Sequence, residues 1–125
     1  MDTSLYFYRN VILSMVNNEV SLIDIYNPSE KGETLEPWFG LVLQLANGQR
    51  SIDDLLQYLS RGYGGNPPGN LEATVHSVIG RLVNLKFIVL TKEATELPYY
   101  LAHPYEQLDV DKAKRLLEED QVNLN

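Results

Sequence analysis

Residues 26–56 read YNPSEKGETLEPWFGLVLQLANGQRSIDDLL, and the fold turns on how this stretch is divided. Pro37 has no N–H to lose in the first turn of a helix, so it marks a start. Trp38, Leu41, Val42 and Leu45 then recur at the spacing of one helix face, with Phe39 and Leu43 widening it. Asn47-Gly48 ends that helix, because both residues tolerate positive φ. Ser51 caps the next one, Asp53 and Asp54 suit its positive end, and Ile52, Leu55, Leu56 and Leu59 repeat the apolar stripe. Upstream, Glu33 to Glu36 leaves room only for a very short strand.

Working outward, Leu5 to Val16 reads as a strand rich in aromatic and β-branched residues. Asn17-Asn18 is a turn signal, and Val20 to Tyr26 reads as a second strand, which makes an antiparallel hairpin. Downstream, RGYGGNPPGN (61–70) breaks the chain with four glycines in ten residues. Asn70 is the expected cap of a third helix lined by Leu71, Val75, Val78, Leu82 and Leu85, with Ile79 beside them. FIVLT (87–91) follows as the helix end or as a short extended segment.

From Lys92 onward the character changes, with 8 of the 17 acidic residues in 34 positions. LPYYLAHPYEQL (97–108) reads as irregular. Asp109 to Asp120 reads as a helix with i,i+4 pairs Asp111–Arg115, Lys114–Glu118 and Arg115–Glu119. The expected division is a domain at 1–91 and an acidic extension at 92–125. The fold class is α+β: a winged helix-turn-helix-like domain with a three-stranded antiparallel sheet followed by three helices, plus a C-terminal helical tail.

Composition bounds the function. The 125 residues are one domain's worth, and 44% are hydrophobic. There is no cysteine, so disulfides and thiolate metal sites are excluded. The net charge of −7 lacks the basic footprint of a nucleic-acid binder. The start MDTSLYFYRN carries no signal-peptide pattern, and no apolar run reaches membrane-span length. A cytoplasmic protein is expected.

No residue pattern points to catalysis. His76 and His103 are lone histidines, Ser51 reads as a cap, and GYGG lacks the lysine and hydroxyl of a phosphate loop. The carboxylate runs Asp53-Asp54 and Glu118-Glu119-Asp120 suit a helix start and a solvated helix face. The chain therefore reads as a non-enzyme, with neither cofactor nor metal.

The segments GETLEPWFGLVLQLANGQRSIDDLLQYL and LEATVHSVIGRLVNLKFIVL together resemble the PqqD-like family, small winged-helix domains that recognise ribosomally made precursor peptides. The carrying features are Leu35 and Glu36, the 38–45 stripe, the junction Asn47-Gly48-Gln49-Arg50-Ser51, the 52–59 stripe and the 71–90 segment. The resemblance covers residues 5 to 91. Glu36 stands where the family usually has Asn or Ser, and the tail lies beyond the usual domain. The resemblance implies an adaptor without catalytic activity that binds the leader segment of a precursor peptide. The leader adds as a strand beside the short third strand. That puts backbone pairing on Lys31, Gly32, Glu33, Thr34 and Leu35. Val75, Val78, Ile79, Arg81 and Leu82 of the third helix would flank the cleft, although the apolar ones also read as core. The implied partner is a radical S-adenosylmethionine enzyme or another peptide-modifying enzyme, with no nucleic acid and no membrane involved, and the protein itself a monomer or homodimer. The alternative is a winged-helix DNA-binding transcription regulator, whose recognition helix would carry only Arg81 and Lys86.

Overall fold

The computed structural model of the chain describes residues 1–30 and 32–123. It is an α+β protein whose residues group into two compact units, one of residues 1–10 and 41–96, the other of residues 11–40 and 97–125. The division expected at Thr91/Lys92 is not where the units part: the first runs to Glu96, and the tail from Leu97 shares its unit with residues 11–40.

In the first unit the chain runs β1 (Tyr6–Arg9), the larger part of α1 (Pro37–Leu45), β4 (Asn47–Ser51), α2 (Ile52–Arg61), α3 (Leu71–Asn84) and β5 (Ile88–Thr91). Its antiparallel sheet has the order β4-β1-β5. This corrects the expected order of three strands followed by three helices: two of the three strands come after α1. The strand over 5–16 is also two strands. Asn10 donates its N–H to the Phe87 carbonyl at 2.8 Å, and just beyond it the chain leaves the first unit. β1 uses both of its edges, on β4 and β5, so the residues after Asn10 must bend away to find another partner.

β4 is a strand where a plain helix–helix junction was expected. Tyr6 pairs with Ser51 and Tyr8 with Asn47, with a bulge between them. Gly48 makes this possible. Its φ is +80°, and a Cβ there would overlap the Thr95 carbonyl. FIVLT resolves to the extended alternative, since Ile88–Thr91 pairs in register with β1.

The helix ends explain themselves. Arg9 is buried at the end of the central strand, and its Nη1 donates to the carbonyls of Leu43, Gln44 and Ala46 at 3.2, 3.2 and 3.4 Å. These are carbonyls at and just beyond the α1 C-terminus, left without intrahelical partners, and a cation suits that end. Burial pushes the guanidinium below its usual pKa. Ser51 and Asp54 form a reciprocal capping box for α2, at 3.0 and 3.1 Å. Past the other end of α2, Gly65 N–H bonds to Ser60 C=O and Gly64 N–H to Arg61 C=O, with Gly64 at φ +68°. That is a Schellman closure, and it gives the glycines of GYGG their purpose. The same closure ends α3, through Phe87 to Leu82 and Lys86 to Val83, with Lys86 in the left-handed position at φ +64°. Asn70 corrects an expectation: it precedes α3, but its side chain makes no capping bond.

The second unit holds β2 (Leu13–Val16), β3 (Glu19–Leu22), α4 (Tyr99–Ala102), a single 3₁₀ turn at Tyr105–Gln107 and α5 (Val110–Asn123). The β2–β3 hairpin closes through Asn17 and Asn18 at φ +53° and +65°, the type I′ geometry that matches strand twist. The second strand is shorter than the expected 20–26. Its continuation carries Ile25 into a small core with Tyr100, Leu101 and Ala113. The tail is thus part of a folded unit. Lys112 and Lys114 lie over the rings of Tyr99 and Tyr26, at 4.3 and 5.6 Å. Among the described residues the three expected ion pairs of α5 do not form. No described helix is long and apolar enough to cross a membrane.

Candidate functional site

Strand addition needs an edge with backbone groups to offer, and the hairpin has two edges, on β2 and on β3. In a two-residue hairpin the pair next to the turn is hydrogen bonded. The next pair, Met15 and Val20, therefore turns its backbone groups outward. On the β2 side that edge is occupied. Glu106, in the 3₁₀ turn, accepts the Met15 N–H at 2.7 Å and the Ser14 hydroxyl at 2.6 Å. Its carboxylate stands in for another strand, and it satisfies a serine that is 1% exposed.

On the β3 side lies the segment Gly32–Leu35. The Val20 carbonyl accepts the Leu35 N–H at 2.8 Å, and the Leu22 carbonyl accepts the Gly32 N–H at 3.2 Å. Four residues on one side, Gly32 to Leu35, thus stand against three on the other, Val20 to Leu22, which is a bulge and not a ladder. The expected third strand over 33–36 therefore does not form. A second cause is Glu36, whose carbonyl already accepts the Gly40 N–H at 3.0 Å and so belongs to the start of α1. Among the described residues, Glu33 and Thr34 add no backbone bond to this pairing. The Thr34 hydroxyl donates to Glu19 at 3.2 Å. Gly32, Glu33 and Thr34 are exposed and Leu35 is half-buried.

The remaining expected site residues divide sharply. Lys31 lies outside the described residues. Val75, Val78, Ile79 and Leu82 are between 0% and 7% exposed and form the core of the first unit. Their apolar spacing marked burial, and their side chains have no surface to give a ligand. Arg81 is the exposed member of the five. The 32–35 segment belongs to the second unit and α3 to the first.

Two other polar residues singled out by sequence, Ser51 and His76, lie in the first unit. Ser51 is the α2 cap described above. His76 lies 3.8 Å from Glu72, one turn away, and its Nε2 is buried without a hydrogen-bond partner. Among the described residues, no group of three or more His, Asp or Glu could hold a metal ion. The first unit also has two open apolar grooves. One, of about 700 Å³, lies along the end of α2 between Leu41, Leu59 and the exposed rings of Tyr58 and Tyr63. The other, of about 420 Å³, runs from Leu56 to Pro67, Pro68 and Leu71.

Sequence reasoning missed Glu106 and Arg9. Each acts on residues more than thirty positions away, and no local signal announces either. No family model, no curated protein and no solved structure matches this chain.

Proposed function

We propose that the protein is a peptide-binding adaptor of the PqqD-like, winged-helix kind. It takes the leader segment of a ribosomally made precursor peptide by strand addition beside Gly32–Leu35. It then presents the rest of the peptide to a modifying enzyme, for which a radical S-adenosylmethionine enzyme is the expected partner. The adaptor does no chemistry of its own. Raising the local concentration of substrate at the enzyme is its contribution, and that is useful even at modest affinity.

The observation that carries the reading is the contrast between the hairpin's two edges. The β2 edge is closed by a carboxylate. The β3 edge ends in a largely exposed, irregular segment held, among the described residues, at two backbone points. A segment whose own backbone pairing is incomplete is a template for another strand. The resemblance of residues 5–91 supports the identity of that strand as a leader peptide.

The test is calorimetric. The synthetic leader of a precursor peptide encoded beside this protein is titrated into wild type and into Leu35→Pro, which removes the N–H that holds the segment to Val20. The expected result is micromolar binding or better, about −8 kcal/mol, lost in a folded Leu35→Pro variant. Equal binding by both proteins would overturn the strand-addition reading.

One observation favours a DNA-binding regulator: the order helix, strand, helix, helix, strand from α1 to β5. The exposed residues of α3 speak against it, since Glu72, Ala73, Ser77 and Asn84 surround Arg81, its one cation. Phosphate contacts supply most non-specific affinity, so this surface has little to offer duplex DNA. A salt-sensitive shift of a duplex would revive that reading.

A further inference from the structure

The charge of the chain is divided as unevenly as its folds. The first unit has six carboxylates and six Lys and Arg residues, so it is neutral. The second has eleven carboxylates and four Lys and Arg residues, so it carries the whole −7. Around the candidate edge the imbalance is steepest. Residues 11–40 hold Glu19, Asp24, Glu30, Glu33 and Glu36, against Lys31 alone.

All five carboxylates are exposed. Glu19 accepts from the Thr34 hydroxyl, and Asp24 from the Tyr26 N–H and the Asn27 amide. Those donors are neutral, so they hold the side chains without cancelling their charge. Among the described residues, none of the five is in an ion pair. Glu33 and Glu36 sit on or beside the segment that an incoming strand would line.

We infer that the peptide taken at this edge is basic, with Lys or Arg facing the carboxylates of the 19–36 margin. This rests on the strand-addition reading and adds the chemistry of the ligand. Backbone pairing is blind to sequence, so side chains must supply the choice of peptide. Opposite charges across a strand pair are favourable and like charges unfavourable. An uncompensated negative margin also draws a cationic peptide in before contact, over a range that salt shortens to about 8 Å at physiological ionic strength. An acidic peptide would meet repulsion both on approach and at contact.

A random peptide library, displayed on phage and selected in parallel on the wild-type protein and on Leu35→Pro, tests this. The expected result is a set of peptides enriched only by wild type and carrying net positive charge. Replacing their Lys and Arg by Glu should weaken binding by about tenfold or more, as two or three reversed cross-strand pairs require. The double variant Glu33→Lys, Glu36→Lys leaves the backbone edge in place and should shift enrichment toward acidic peptides. Peptides that depend on Leu35 but are neutral or acidic would overturn the charge inference and leave strand addition standing. An unchanged charge preference in the double lysine variant would overturn it too. No Leu35-dependent enrichment would remove strand addition and this inference together.

Discussion

The two units of this chain are held together by different means. The first is neutral and built on burial. Phe7, Leu43, Ile52, Leu55 and Ile79 are all fully buried there, and its polar devices serve helix ends. The second carries all the net charge, and its buried residues include Leu13, Val20 and Ile23 and the small cluster of Ile25, Tyr100, Leu101 and Ala113. Around that cluster, carboxylates act as ties: Glu106 to the hairpin, Asp120 to the Tyr100 hydroxyl at 2.6 Å, and Glu118 to the Tyr26 hydroxyl at 3.4 Å. Charged hydrogen bonds are weakened by screening and by protonation, and apolar burial is not. The unit that carries the candidate edge is therefore also the one whose stability responds to its ionic surroundings.

The largest effect is expected at Phe7, the fully buried residue of the central strand. Phe7→Ala should cost about 3–5 kcal/mol in denaturant unfolding, from lost burial plus the cavity left behind. A loss no larger than a surface substitution gives would mean that the first unit does not depend on its core.

Glu106→Ala comes next. It leaves the buried Ser14 hydroxyl and the Met15 N–H without their acceptor, which should cost about 2–3 kcal/mol. Hydrogen exchange should speed at Met15 and the hairpin while β1 and β5 keep their protection. Unchanged exchange at Met15 would show that the carboxylate does not close that edge.

The alkaline limb separates the units by pH. Burial, with the hydrogen bond to Asp120 and that carboxylate's charge, pushes the Tyr100 hydroxyl from 10 up to about 12. The neutral phenol is thus favoured in the folded state. Its contribution is complete below pH 10 and is lost as pH rises from 10 through about 12. Tyrosinate absorbance should show a group ionising near 12 that disappears in Tyr100→Phe, and stability of that variant should fall less over the same range.

The smallest effect has the opposite sign. Lys86 holds a left-handed conformation at the α3 closure, where glycine carries no penalty. Lys86→Gly should stabilise the first unit by about 1 kcal/mol. A destabilisation would mean that the lysine side chain contributes more than its backbone costs.

Local signals in the sequence were legible and long-range ones were not. The α2 cap at Ser51, the Asn17-Asn18 turn and the apolar stripe of α3 all follow from spacing within a few residues. β4 was hidden because Asn47-Gly48-Gln49-Arg50-Ser51 has no β-branched or aromatic residue, and it is a strand only because β1 lies beside it. The break after Asn10 was hidden for a related reason: the run from Leu5 to Val16 keeps its strand character while its partners change. At the candidate edge, the sequence suggested a short strand at 33–36, and the structure has an irregular segment there. The bulge depends on the offset between Gly32–Leu35 and β3, which no local pattern encodes. The same apolar spacing that suggested Val75, Val78, Ile79 and Leu82 as contacts is what buries them.

The central claim is that a peptide adds its backbone beside Gly32–Leu35. The most direct test is an amide chemical-shift map of the protein with and without the synthetic leader of the precursor peptide encoded beside it. The account predicts the largest shifts at Gly32, Glu33, Thr34 and Leu35, with smaller ones at Val20 and Leu22, whose carbonyls hold that segment. Shifts centred instead on the groove of Leu41, Tyr58 and Tyr63, with residues 32–35 unmoved, would contradict it.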